Sequence, residues 1–306
     1  MKICRLPNLV LNFSVTVACA LSIAGCATQH SKSESALSAC FKFLSGTFGT
    51  YDAEPRLNNH RVDTDRLVAE IVKVKANTYN FLIHHAPTDW DDLQIFLPKA
   101  RANHIKVWVT LVPPSEPPFA EPFQLDFHRW GIELAKLSLK EPNLVAWSID
   151  DFSYDAKIFT REYIKTMVED SHAINSKLMF VPCLYFKQMK PSLVEKYRPY
   201  VDGILFPYRH EMGQRNLTDW DTLEKEVAVF RQDFGPSVPV FVDVYATKHS
   251  QLNDSSAEYV QQVMTISRRC ADGVLIFCHQ YEDKSPEKYH VIKSLFEQWA
   301  AEQKTE

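Results

Sequence analysis

Two adjacent carboxylates, Asp150 and Asp151, end an apolar run that begins at Asn143 and continues Leu-Val-Ala-Trp-Ser-Ile. A short apolar run bounded by Pro142 and a polar loop has the pattern of a strand covered on both faces. Side chains alternate along a strand, so Ala146, Ser148 and Asp150 share one face, and Trp147, Ile149 and Asp151 the other. The small face suits a crowded barrel interior, and the bulky face suits outer helices. Asp150 is therefore expected in the barrel mouth and Asp151 at its lip. Two carboxyl groups so placed can act as a general acid and as a base or nucleophile. The plainer role for Asp151 is to cap the next helix.

Asp243 is the next candidate. It is embedded in Val240-Phe-Val-Asp-Val-Tyr245, where it must meet another polar group or bear a large desolvation cost. It either takes part in chemistry or pairs with a cation such as Arg209. Further polar residues fall at the ends of expected strands: Asp52, His84 and His85, Tyr185, Tyr208 and Arg209, Tyr245, and His279 and Gln280. The opposite strand ends are bland, and ionisable groups rarely gather inside a protein without purpose. Tyr185, Tyr208 and Tyr245 can stack on a sugar ring, and Arg209 can hold a substrate or orient a carboxylate. His84 and His85 are neighbours on a strand and face opposite sides, so that pair cannot share one metal ion.

The elements that must position these residues follow from periodicity. Strands are expected at residues 48–52, 78–84, 105–112, 143–152, 178–186, 201–208, 238–245 and 273–279. Helices are expected at 63–76, 88–103, 123–140, from Thr160, and at 192–200, 218–234, 255–270 and 286–301, with Thr88 capping the second. This rhythm defines the α/β class and a single (β/α)8 TIM barrel, whose active sites lie at the C-terminal ends of the strands. Two segments echo each other, Val201-Asp-Gly-Ile-Leu-Phe and Ala271-Asp-Gly-Val-Leu-Ile-Phe. An open doubly wound sheet is disfavoured, because no Gly-rich turn follows the first strand. The third strand contributes little chemistry, and residues 113–122, with five prolines, read as a stiff loop over one face.

Several chemistries lack their motifs. There is no H-E-x-x-H, no H-x-H at the first strand and no G-x-S-x-G elbow. With eight glycines in the whole chain, no Gly-rich phosphate grip follows strands seven and eight. Lys187 and Lys248 lie beyond strand ends, which leaves a Schiff-base mechanism poorly supported. No metal and no other cofactor is expected.

The first 25 residues differ from the rest. Lys2 and Arg5 precede an apolar run over 9–20, the order of a secretory leader. The tetrad Ile23-Ala-Gly-Cys26 resembles the lipobox of bacterial lipoproteins, which implies acylation of Cys26 and attachment through a lipid anchor alone. Ala27 follows the cysteine, and by the same resemblance this implies the outer membrane of a bacterial cell envelope, facing the periplasm or the surface. The expected organisation is a leader at 1–25, the anchored Cys26 with a Ser-rich spacer at 26–45, and a barrel domain at 46–306. The 306-residue chain carries a formal charge of −4, which loss of Lys2 and Arg5 takes to −6, against nucleic acid as a partner. The remaining Cys40, Cys183, Cys270 and Cys278 form no C-x-x-C pair.

Carboxylates at strands four and seven beside a Tyr/Arg-rich mouth resemble the TIM-barrel glycoside hydrolase superfamily. The likeness implies a glycosidase-type hydrolase for a polysaccharide or oligosaccharide, with Asp150 in one catalytic role and Asp151 or Asp243 in the other. This chain has Asp where the clans with glutamates at strands four and seven have Glu, so no named family is matched. Two alternatives remain: a lipid-anchored, non-catalytic carbohydrate-binding barrel, and a polysaccharide lyase. The lyase would use Tyr208 or His279 as base, with Arg209 neutralising an acidic sugar. A monomer is expected.

Overall fold

The apolar runs become eight parallel strands: β1 (Thr47–Tyr51), β2 (Thr78–Ile83), β3 (Lys106–Leu111), β4 (Leu144–Ile149), β5 (Met179–Phe180), β6 (Ile204–Pro207), β7 (Val240–Tyr245) and β8 (Gly273–Phe277). Among the described residues they alternate with the α-helices α1 (Thr64–Lys73), α2 (Asp89–Ala102), α3 (Phe127–Lys140), α4 (Arg161–Ile174), α5 (Pro191–Tyr197), α6 (Leu223–Phe234), α7 (Ala257–Cys270) and α8 (Pro286–Glu302). This computed structural model describes residues 44–303, apart from His85 and Ala156. The leader, Cys26, most of the spacer and His85 thus lie outside the described residues.

The sheet runs β5-β4-β3-β2-β1-β8-β7-β6, all parallel. Its two ends then meet. Leu184 N–H donates to Leu205 O at 2.9 Å, Leu205 N–H to Pro182 O at 3.1 Å, and Asp202 N–H to Phe180 O at 2.9 Å. Closure makes this a (β/α)8 TIM barrel. Strand β5 is shorter than its apolar run predicts because Pro182 supplies no N–H to the ladder. Helix α6 starts later than predicted. Asn216 Oδ1 takes the N–H groups of Thr218 (2.7 Å) and Asp219 (2.8 Å), and holds a turn there instead.

Faces alternate as the pleat requires. Tyr51, Leu82, Trp108, Ala146, Val181, Leu205, Phe241 and Leu275 form the inner core. Phe48, Phe81, Val109, Trp147, Phe206, Val242 and Ile276 pack outward against the helices. Trp147 is accommodated by Gly131 on α3, where a Cβ would come within 3.1 Å of the indole. That contact keeps β4, and so Asp150, in register with its helix.

The sequence echo has a structural role at the N-terminal end. Asp202 accepts Phe180 N–H at 2.7 Å, and Asp272 accepts Val240 N–H at 2.8 Å. Each aspartate staples the start of the neighbouring strand.

Candidate active site

Asp150 and Asp243 both belong to the inward-facing sets of their strands, at the C-terminal end. Asp243 is 2% exposed, and its Oδ2 accepts a 2.7 Å hydrogen bond from the Tyr51 hydroxyl. Its Oδ1 is buried without a hydrogen-bond partner among the described residues. Burial, assisted by the nearby Asp150 charge, pushes its carboxyl from an ordinary 3.8 to about 8, against the Tyr51 bond and the Arg209 charge. Asp150 keeps partial exposure at the lip. Its Oδ1 accepts Asp151 N–H at 2.9 Å. Burial first, and then the Asp151 carboxylate, lift it to about 7. Neither carboxyl is in an ion pair with a described residue. The alternative pairing of Asp243 with Arg209 is therefore not formed.

Arg209 is committed elsewhere. Its guanidinium pairs with Glu211, lies 3.9 Å from the Tyr185 ring centroid and donates to the Tyr154 hydroxyl at 3.3 Å. Glu211 is in turn fixed by Lys187 N–H at 2.8 Å. Tyr185, near Asp150 and Asp151, and Tyr245, near Asp243, are 6% and 5% exposed and wall the mouth. Beneath Asp150 the barrel floor is polar. Thr110 donates to Asn80 Oδ1 at 2.9 Å, and Asn80 Nδ2, Trp108 Nε1 and Ser148 Oγ are buried without partners among the described residues.

Asp151 caps no helix; Thr160 does so for α4, accepting Tyr163 N–H. Asp151 has φ 46°, in the left-handed region, as do Asp52, Ala53 and His210 at the ends of β1 and β6. Such strain at non-glycine residues clusters at sites whose side chains must point in a set direction. Thr88 occupies its cap position, but its hydroxyl donates to Asp92 at 3.2 Å.

Other expected site residues are turned away. Tyr208 follows Phe206 onto the outer face, where its hydroxyl meets Asp219 O and Thr222 Oγ1, each at 3.2 Å. Adjacent residues on a strand face opposite ways, so Tyr208 cannot join Arg209 in the mouth. His279 Nδ1 bonds Thr50 Oγ1 at 2.8 Å, and its ring lies edge-on to Tyr281, 4.7 Å away. Asp52 bonds the Cys278 thiol, and Gln280 Nε2 donates back to Cys278 O at 2.6 Å. These three form a group behind β1, apart from the carboxyl pair. His84 stays at the lip.

One residue was missed. Glu116, on the proline-rich loop, has Oε2 3.9 Å from His84 Nε2; its charge helps raise the Asp150 carboxyl, and its own carboxyl is raised by burial and by Asp151. The loop after β3 thus brings a third acid to the mouth. Its signal was position, since any β3–α3 loop leaves the C-terminal face. No group of acids, histidines and cysteines with metal-binding geometry occurs among the described residues. No described helix is long and apolar enough to cross a membrane.

No protein-family model matches this chain, and no curated protein matches it either. Among solved structures it is similar to a glucosidase from Croceicoccus marinus, with TM-score 0.60 and 8% identity over 84% of this chain and 66% of that one. It is also similar to a β-D-glucuronidase from Dictyoglomus thermophilum, with TM-score 0.51 and 14% identity over 82% and 50%. A tryptophan synthase from M. tuberculosis aligns too, with TM-score 0.52 and 11% identity over 86% and 96%. The chain spans about two thirds of the glucosidase and half of the glucuronidase. At such identities the likeness is one of fold, and this is a TIM barrel with glycosidases among its structural neighbours.

Proposed function

We propose that this barrel is a glycosidase-type hydrolase for a polysaccharide or oligosaccharide, with Asp150 and Asp243 as its carboxyl pair. One observation carries the reading: two inward carboxyls at the mouth, each lifted to near neutrality and neither neutralised by a cation. With values of about 7 and 8, both carboxyls are at least partly protonated near neutral pH. Oδ1 of Asp243, free of partners, can carry a proton and pass it to a leaving oxygen. Asp150, whose charge is stabilised by Asp151 N–H, then serves as base or nucleophile. Tyr185 and Tyr245 wall the site, the face of the Tyr185 ring being taken by Arg209.

The polysaccharide lyase loses its physical basis, because Glu211 already neutralises Arg209. A non-catalytic carbohydrate-binding barrel is favoured by one fact: neither of two surface cavities, of about 290 and 320 Å³, is lined by Asp150 or Asp243. The test is release of reducing ends from a panel of glycans by the unsubstituted protein and by Asp150→Asn and Asp243→Asn. The hydrolase predicts turnover that falls about 10³-fold or more in each variant with the fold retained, since positioned acid–base groups contribute about 10²–10⁴ each. Full turnover in both variants refutes the assignment, and saturable binding without any product points to the binding barrel. The lipid anchor at Cys26, with residence in the bacterial envelope, belongs to the same proposal and rests on the leader sequence alone.

A further inference from the structure

A separate cavity of about 290 Å³ opens beside the ends of β7 and β8, lined among others by Lys248, Lys284, Lys288, His279 and Ser285. We infer that it binds an oxyanion: free phosphate or sulfate, or the phosphate or sulfate ester of a larger sugar.

Three observations support this. First, three ammonium groups surround one cavity in a chain of net charge −4. Only Asp254 among the lining residues opposes them, and it is taken by Lys288 Nζ at 3.0 Å, which also donates to Ala246 O at 3.2 Å. Lys248 and Lys284 are exposed and have no ion pair with a described residue; Lys284 Nζ rests 4.8 Å from the Tyr281 ring centroid. Second, the 17-residue helix α8 starts here. Ser285, its N-cap, lines the cavity without a side-chain cap hydrogen bond, so the positive end of the helix dipole is left for a ligand.

Third, His279 lines the cavity at 2% exposure, and its Nε2 has no partner among the described residues. Burial draws its pKa down to about 4, so the ring is neutral near pH 7. In the tautomer in which the Thr50 hydroxyl donates to Nδ1, the hydrogen sits on Nε2 and makes it a donor. A neutral donor, two free ammonium groups and a helix start together match the oxygens of a tetrahedral anion. The volume is at the lower end of small-molecule sites, about 300–1,000 Å³, and so admits an anionic group with a sugar ring attached. This site does not depend on the hydrolase reading and would survive its failure.

Isothermal titration of the full-length chain at fixed chloride would use inorganic phosphate, inorganic sulfate, glucose 6-phosphate and glucose. Saturable binding of the anions but not of glucose is expected. Tighter binding of glucose 6-phosphate than of phosphate identifies an ester substituent, whereas equal affinities identify a free oxyanion. Lys248→Gln with Lys284→Gln should weaken binding about tenfold, the lower end for charge-assisted hydrogen bonds at exposed side chains. Both lysines are exposed, so the melting temperature should hold. The distant pair Lys136→Gln with Lys165→Gln should leave affinity unchanged. The inference fails if no anion saturates the protein at millimolar concentration, or if the distant pair weakens binding as much as the local one.

Discussion

Replacing Asp243 by Asn should stabilise the protein at alkaline pH while abolishing turnover. The wild-type carboxyl is 2% exposed and titrates near 8, compared with 3.8 when unburied. Below pH 4 it is protonated in both folded and unfolded chains and contributes no pH-dependent term. Between about pH 4 and 8 the unfolded chain releases this proton and the native chain keeps it, so stability falls as pH rises. A shift of about four units corresponds to roughly 5–6 kcal/mol at most by pH 8.5. The asparagine amide removes that penalty. It also places an N–H₂ where Oδ1, or the Oδ2 that accepts from Tyr51, now sits, which costs about 1–3 kcal/mol if unpaired. The expected net gain is on the order of 3 kcal/mol, or roughly 6 °C for a domain of this size, at pH 8.5. Scanning calorimetry of both proteins at pH 4.5 and 8.5 reads it directly. A melting-temperature difference that does not grow with pH, or a wild type favoured at pH 8.5, means that Asp243 ionises at little cost, and the argument for a protonated Asp243 collapses. Stability withheld at a functional carboxylate is the usual trade between fold and activity.

Two further predictions concern the mouth and the leader. Glu116→Gln removes a negative charge that raises Asp150, so the carboxyl of Asp150 should titrate at lower pH. Carboxyl-carbon NMR titration checks this, and an unmoved midpoint would place Glu116 away from the site. Cys26→Ala in the producing bacterium should abolish incorporation of labelled palmitate and release the protein from the membrane fraction, whereas unchanged labelling would disprove the anchor.

The barrel was legible because its causes are local. Period-two runs with small residues on one face, as in Ala146-x-Ser148-x-Asp150, already say which side chains point inward. The same rule, applied to neighbours, separates Tyr208 from Arg209, since one of any adjacent pair on a strand must leave the mouth. What the sequence did not display is where alternation stops. Asp52 is no such break: it follows inward Tyr51, so alternation already sends it outward, where it meets Cys278. Beyond Phe277 the chain carries His279 to Thr50 behind β1. Glu116 depends on the loop after β3 reaching His84 and Asp151 at the ends of the two neighbouring strands, a contact that no periodicity encodes. The two readings of the mouth also differ in kind. Inward direction at a strand end is fixed by the pleat, but whether a carboxylate there finds a cation depends on loops. Arg209 was within reach of Asp243 in sequence logic, and Glu211, two residues on, captured it. With no cation in contact, burial keeps the Asp243 carboxyl high even though the Arg209 charge still opposes it. The pleat therefore fixes where this carboxyl points, and the loop that carries Glu211 decides that no ion pair meets it.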